Sequence, residues 1–372
     1  MSFTDAHNQP RSTVLYSEIL PKNSLFQKII SRFGTNKAGE GLNLASPITN
    51  EVFINLKEDS VKDVTTKISI IDQSFLAWSS KTGKERAEIL KKYGSLIETY
   101  RQELAELLSA ENGKPVAESF AEVGYGINAC DWFAAEAKRH YGQVIPSAQK
   151  NHKWFTQSSA VGPCAMITPW NFPAAMVTRK SLPALAAGCT VILRPASQTP
   201  LSALGHKIVA EMAGIPDEVF QVVISKNSRD IGPLMFESDK IKAVSFTGST
   251  NVGKLLMRSA ASNVKKQCME LGGLAPFIVT ESADIAQAVE GVLNSKFRNM
   301  GQVCIAPNRI FVHDKVHCQF VQSLLRRIQE KLKFGGPETS SCTIGPMIND
   351  KGRLYMEEVV KDAAEKGGKV LR

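Results

Sequence analysis

The chain has 372 residues, 43% of them hydrophobic and 22% charged, enough to bury a large core in two domains, which argues against a small binding module. A formal net charge of +9 would suit an anionic partner, but the Lys and Arg residues are scattered without a long basic run, so nucleic-acid recognition is not expected. Seven cysteines, an odd number with no CxxC pair, argue against a disulfide framework and against a zinc site, so no metal is expected and a reducing compartment is.

In chain order, Leu25, Phe26, Ile29, Ile30 and Phe33 recur at helical spacing beside Lys28, Arg32 and Lys37, giving residues 1–43 the reading of an extension built around one amphipathic helix. Such a helix is either a mitochondrial presequence or an element docked on the domain, and Asp5 and Glu18 weigh against the presequence. The expected location is cytoplasmic, with mitochondria as the alternative. Between residues 60 and 142 apolar residues repeat at helix period, as in Ala87, Ile89, Leu90, Tyr93 and Ile97, then Leu104, Leu107 and Leu108; these are packing stripes rather than a cofactor box. The longest apolar stretch, Ala174 to Leu193, is broken by Arg179 and Lys180, so neither a membrane span nor a secretory core is expected.

From Ala160 the texture changes. CAMITPWNFP, CTVILRPASQTP, FQVVISKN and AVSFTGST each read as strand, turn and helix start. Strands alternating with helices imply βαβ units in a mostly parallel sheet, with ligands bound beyond the carboxyl ends of the strands. A second α/β region begins near Leu271, with APFIVT as a strand, Ala283 to Arg298 as a helix and NRIFVHD as a strand. A helix follows from Asp350 to Lys366, and KVLR reads as the opening of another strand, where the chain stops.

Four short segments carry polar groups suited to chemistry. In GQVC, Cys304 sits at the end of a helix-like segment, where free N–H groups favour a thiolate nucleophile; a small buried apolar residue is the alternative. In ELGG, Glu270 lies in a largely apolar stretch that would raise its pKa and make it a general base, against the alternative of a surface Glu before a turn. WNFP puts the Asn171 amide directly after a strand, where it either donates to a developing oxyanion or caps the turn. FTGST ends a strand and opens a helix containing Gly253, so that backbone N–H groups and the Ser249 hydroxyl suit a pyrophosphate, although the spacing is not the usual GxGxxG.

WNFP, RPASQTP, FTGST, ELGG and GQVC, in this order and at these separations, resemble the aldehyde dehydrogenase superfamily from about Leu44 to Arg372. Longer matches in ITPWNFPAAMVTRKSLPALAAGCTVIL, MELGGLAPFIV and SKFRNMGQVC resemble its succinate-semialdehyde branch. The resemblance implies an α/β fold with a Rossmann-type cofactor domain at 44–270, an oligomerisation hairpin near 145–162, and an incomplete α/β catalytic domain at 271–372. It implies Cys304 as nucleophile, Asn171 with the Cys304 N–H as oxyanion donors, and Glu270 as the base that activates water. For the cofactor it implicates Thr168, Pro169, Trp170, Arg194, Ser197, Gly248, Ser249, Gly253 and Leu271. Ser197 stands where NAD-preferring members carry a carboxylate, so either NADP or NAD is expected, with NADP favoured. Arg194 replaces the usual Lys.

Arg179 and Arg298 align with the arginines that hold a substrate's distal carboxylate in that branch. The expected reaction is oxidation of succinate semialdehyde to succinate through a cysteine thioester. Another acidic semialdehyde such as glutarate semialdehyde is the alternative, as is an inactive relative acting only by association, and Cys/Glu ester hydrolysis is a third reading. Ala306 stands where the family often has a second cysteine, and the usual N-terminal Gly-x-Trp hairpin is missing. Members also continue past the position of Arg372 with an EEIFGP segment and a last oligomerisation strand. The family's homo-oligomer is therefore set against a chain with an unpaired sheet edge and an exposed apolar face.

Overall fold

A computed structural model describes residues 14–35 and 41–371; Asp5, Lys37 and Arg372, which entered the reading of the two termini, lie outside them. The first described helix, α1 (Ser24–Phe33), is capped by Asn23, whose side chain accepts from the Phe26 N–H at 2.9 Å. It buries Leu25, Phe26 and Ile29, and Arg32 pairs with Glu211 at 2.5 Å and Asp217 at 2.8 Å. The amphipathic stripe thus docks onto the domain, its apolar side inward. A hairpin absent from the sequence reading, β1 (Leu42–Ala45) with β2 (Val52–Leu56), follows. The helical region is α2 (Val61–Gln73), α3 (Phe75–Ser79), α4 (Gly83–Thr99), α5 (Arg101–Asn112) and α6 (Val116–Glu136). Ser60 with Asp63 and Thr82 with Glu85 form reciprocal capping boxes that start α2 and α4.

A short antiparallel hairpin, β3 (Val144–Ile145) with β4 (Trp154–Phe155), projects from the body with Val144 87% and Phe155 75% exposed. The strand–helix alternation then runs β5 (Cys164–Ile167), α7 (Pro173–Ala187), β6 (Val191–Arg194), α8 (Pro200–Ala213), β7 (Phe220–Val222), α9 (Ser228–Glu237), β8 (Ala243–Gly248), α10 (Thr250–Ala261) and β9 (Lys266–Leu271). All five strands pair in parallel in the order β7-β6-β5-β8-β9, so the chain reverses its winding between β5 and β8. In such a sheet the crevice at that reversal, beyond the carboxyl ends, is where ligands bind.

The two faces follow the period of two. Cys164, Met166, Val191 and Leu193 face one cluster with α7 and α8, while Ala165, Ile167, Ile192, Val244 and Phe246 face another with α2, α9 and α10. Burial on both faces is why β5 and β6 read as unbroken apolar runs. β9 has only β8 beside it and is largely exposed; its KQCMEL sequence lacks the apolar run of an interior strand, which is why it was not foreseen.

The remaining elements are β10 (Pro276–Val279), α11 (Ile285–Lys296), β11 (Arg309–Val312), α12 (Asp314–Lys331) and α13 (Asp350–Glu365). β10 and β11 pair only with each other, in parallel, over a small core with α11 and α12. Ile278 and Phe311 are 69% and 52% exposed, and α13 buries no residue. The expected strand at KVLR does not form among its described residues 369–371, because no described strand lies beside it to complete a ladder. Among the described residues, no helix is long and apolar enough to cross a membrane.

α4 and α6 approach closely because Gly94 faces Cys130; a Cβ on Gly94 would stand 2.9 Å from that of Cys130. Gly94→Leu should therefore destabilise the chain by about 1–3 kcal/mol through overpacking, read as a lower urea midpoint with unchanged m value.

Candidate active site

Two turns meet at the carboxyl edge of the sheet. One follows β5 and runs from Thr168 to Phe172, ending where Pro173 opens α7. The other follows α11 and carries Asn299, Met300 and Gly301 at φ 48°, 58° and 74°. The expected helix end before Cys304 is thus a left-handed turn, unusual for Met, whose Cβ crowds that backbone region. The turns are stitched in both directions. Asn171 Nδ2 donates to Gln302 O at 2.9 Å, and Asn299 Nδ2 donates to Asn171 O at 3.0 Å.

Beneath them lies an ion pair that no sequence motif had marked. Lys114 Nζ donates to Glu122 at 2.6 Å, and both side chains are only 1% exposed. The same ammonium donates to Asn171 O at 2.8 Å and sits 4.2 Å from the centroid of the Phe172 ring. Glu122 in turn accepts from the Ala175 N–H at 3.2 Å, in the first turn of α7, and Asn112 Nδ2 donates to Trp170 O at 2.9 Å. Glu118, one turn earlier on α6, accepts from the Asn299 backbone N–H; burial raises its pKa above the usual carboxylate value while Lys114 pulls the other way. The available signal was Glu122 within the apolar stripe of α6 and Lys114 just before that helix, but the carbonyl that Lys114 reaches is 57 residues away in sequence.

Cys304 is half-buried and Glu270 exposed, with the thiol in hydrogen-bonding contact with the carboxylate. Two expectations change here. Glu270 is not enclosed by apolar surroundings, because it stands on edge strand β9. The thiolate is also not favoured at rest. Burial, then the Glu270 charge and its hydrogen bond, push the Cys304 pKa up, outweighing the backbone N–H groups of Cys304 and Ile305 that pull it down. The resting arrangement is a neutral thiol beside a proton acceptor.

Cys304 and Glu270 are shared walls of two cavities. One, about 400 Å³, is bounded by Pro169, Trp170, Gly248, Ser249, Leu271 and, across the cleft, Tyr355. The other, about 510 Å³, has an aromatic wall of Tyr125, Trp132, Phe133 and Phe172 and contains both Arg179 and Arg298. Arg179 is exposed, whereas Arg298 lies 4.9 Å from the centroid of the Phe172 ring that also packs against Lys114. A third cavity, about 610 Å³, shares Arg179 and Glu270 and passes between α7 and the β8–β9 edge. Burial pulls the Lys180 ammonium in its wall down to about 8, and that group donates to Ser245 Oγ at 2.7 Å.

The first cavity suits a dinucleotide on independent grounds. Ser249 caps α10 without a side-chain bond of its own, leaving the first-turn N–H groups directed at the cleft. A Cβ at Gly248 would stand 2.5 Å from the Phe246 ring, and one at Gly253 2.5 Å from Leu271, so both glycines hold α10 close to the sheet. The Thr168 hydroxyl is buried without a partner at the end of β5. Arg194 is different: its guanidinium turns inward, donating to Ser225 O at 2.8 Å, and burial lowers its pKa. Neither Arg194 nor Ser197, whose hydroxyl reaches the Gln198 side chain at 3.4 Å, borders the cavity at Cys304.

Comparison with known proteins agrees with this geometry. The profile of the aldehyde dehydrogenase family matches residues 34–372. The chain is 43% identical to the 3-sulfolactaldehyde dehydrogenase of Pseudomonas putida, over 90% of this chain and 68% of that protein. It is 41% identical to the NADP(+) succinate-semialdehyde dehydrogenase of Escherichia coli (strain K12), over 90% and 69%. The crystal structure of an aldehyde dehydrogenase from Brucella melitensis biovar abortus 2308 superposes with a TM-score of 0.88 at 42% identity, covering 90% of this chain and 69% of that one.

Two outcomes are expected. Lys114→Met should cost about 3–5 kcal/mol by stranding a buried Glu122 charge, and adding Glu122→Met should recover most of it, both read by urea unfolding. Glu270→Gln removes a charge that raises the Cys304 pKa, so the pH midpoint of iodoacetamide alkylation at Cys304 should move downward and labelling at neutral pH should accelerate.

Proposed function

The chain belongs to the aldehyde dehydrogenase family and is an NAD(P)-dependent oxidoreductase, and from that premise we propose that it oxidises an aldehyde bearing a distal anion, with succinate semialdehyde as the leading substrate. The observation that carries this reading is the pair of cavities meeting at Cys304 and Glu270, one bordered by a free helix N-terminus and the other containing two arginines.

In this reading the substrate anion lies between Arg179 and Arg298, where the fork of each guanidinium matches a carboxylate, and the aromatic wall packs along the carbon chain. Glu270 takes the proton of the Cys304 thiol as the sulfur adds to the aldehyde carbon. The second N–H of the Asn171 amide and the Cys304 backbone N–H receive the developing oxyanion. The dinucleotide held by Thr168, Pro169, Trp170, Gly248, Ser249 and Leu271 supplies the hydride acceptor. Glu270, open to solvent on the edge strand, releases the thiol's proton to bulk water, then draws a proton from the water that attacks the thioester and returns it to the leaving sulfur, giving the acid and the free thiol.

Residues 44–270 are assigned to cofactor binding and 271–372 to the second α/β unit. NADP is assigned as the favoured cofactor, since Ser197 offers no carboxylate to repel a 2′-phosphate. The exposed β3–β4 hairpin, with Trp154 and Phe155 outward, supports association between copies.

Glutarate semialdehyde and 3-sulfolactaldehyde carry the same kind of distal anion, and one methylene changes binding by only about 1–3 kcal/mol. With succinate semialdehyde and NADP, the purified chain should generate the absorbance of reduced nicotinamide, and Cys304→Ala should abolish it. Arg298→Met should lower kcat/KM for the acidic aldehyde by about 10- to 100-fold while leaving that for butanal within a few fold. Equal losses on both substrates would overturn the assignment of the anion site.

A further inference from the structure

Two cysteines that the reaction does not use lie at the opposite, amino edge of the same sheet. Cys164 is the first residue of β5, and Cys189 lies two residues before β6, just past the left-handed Gly188 that ends α7. The parallel register sets Cys164 opposite Val191, and the Cys164 N–H donates to Thr190 O at 2.8 Å. The loop carrying Cys189 therefore folds beside the start of β5, and both side chains enter the same buried cluster, near enough for the two thiols to interact. Both side chains are buried, 5% and 2% exposed, and neither is in a disulfide.

Their surroundings treat the two sulfurs unequally. Cys189 receives the backbone N–H groups of Val161 and Gly162, and Arg86 lies beside it. The Arg86 guanidinium carbon stands 3.4 Å from where a Cβ on Gly188 would be, and Arg86 is held there by donating to Ala186 O at 2.9 Å and to Lys81 O. Cys164 meets no cation; its sulfur is 3.5 Å from the Gly162 carbonyl, an acceptor that favours the protonated thiol. Contact with Cys164 favours the Cys189 thiolate and burial opposes it, while the two N–H groups and Arg86 favour it further; the Gly162 carbonyl favours the protonated Cys164. Cys164 borders a cavity directly, and Cys189 has one only on the far side of Arg86. Cys164 forms part of the wall of the 610 Å³ cavity, and Arg86 forms part of the wall of a separate cavity of about 450 Å³ that also includes Lys81, His140 and Ser159.

We propose that Cys164 and Cys189 are a reactive dithiol, with Cys189 oxidised first and Cys164 resolving, that hydrogen peroxide converts to an internal disulfide. The Cys189 thiolate attacks one peroxide oxygen, the O–O bond breaks, and the departing hydroxide takes a proton to become water, leaving a sulfenic acid. The Cys164 sulfur then attacks the Cys189 sulfur, the S–O bond breaks, and the hydroxyl leaves as a second water with the Cys164 proton. The two thiols lose two electrons and two hydrogens to one peroxide. The crosslink closes the connection through α7 at the amino edge of the sheet and restricts the unfolded chain, so its effect is read as stability.

The experiment uses the full chain carrying Cys304→Ser, so that the reaction-site thiol does not compete. After a stoichiometric dose of hydrogen peroxide, the sample is unfolded in N-ethylmaleimide, weighed intact and mapped. The expected product has lost two hydrogens and yields one crosslinked peptide joining Cys164 to Cys189, with a melting temperature above that of the reduced form. Adding Cys164→Ser should halt oxidation at a Cys189 sulfenic acid that dimedone traps; adding Cys189→Ser should leave Cys164 unmodified. A packing role alone gives no dimedone adduct. The proposal is overturned if Cys164 and Cys189 both remain alkylatable while the exposed Cys268 and Cys318 are consumed, or if crosslinks join other cysteines instead.

Discussion

Everything at the carboxyl edge depends on how the ammonium of Lys114 is compensated once it is removed from water. A buried charge is tolerated only with a paired counter-charge and its remaining donors satisfied. Here Glu122 supplies the charge, the Asn171 carbonyl accepts a second hydrogen bond, and the Phe172 ring covers a further side. That solution fixes more than the ammonium. Because Glu122 also receives the Ala175 N–H and Glu118 the Asn299 N–H, α6 holds the start of α7 and the left-handed turn before Cys304 at once. α6 is 21 residues long and packed between α4, α5 and α7, so the site inherits the rigidity of a helix rather than the looseness of two turns.

With both turns fixed, the electrostatics around Cys304 follow from where Glu270 stands. An interior strand would have enclosed that carboxylate in apolar side chains. The edge strand β9 leaves it open to solvent, yet in contact with the thiol. A thiol held neutral beside an acceptor is protected while no aldehyde is bound, and its proton has somewhere to go when one arrives. In the proposed reaction the same openness would admit the water that a thioester must meet, and one carboxylate would serve both steps by touching the sulfur on one side and solvent on the other.

Much of this was readable from the residues. The apolar runs of β5 and β6 and the turns at WNFP and FTGST were visible as local pattern, because strand burial and turn chemistry act over a few residues; Cys304, Glu270 and Asn171 stood out only through the family resemblance, each open to a bland reading by itself. What escaped notice is what depends on tertiary partners. Lys114 and Glu122 look like ordinary charges in a helical region until α7 is folded against them. Met300 gives no sign of a left-handed backbone, since no local preference of Met favours it. KQCMEL lacks an interior strand's apolar run, and only β8 beside it makes it a strand. The inward turn of Arg194 toward Ser225 likewise follows from the neighbouring β7 loop and not from the RPAS motif.

The parallel sheet also separates two sulfur chemistries by geometry alone. Every strand presents its carboxyl end to the cleft, so each returning helix must deliver the chain to the amino edge before the next strand begins. Cys164 and Cys189 are brought together by that return through α7, and Cys304 is brought to Asn171 by the turns at the other edge. The strands between are only four residues long and buried on both faces, and the 610 Å³ cavity runs past them from Cys164 to Glu270. In the proposed reactions the two sulfurs are nevertheless set by different neighbours, Cys304 by Glu270 and Cys189 by Arg86.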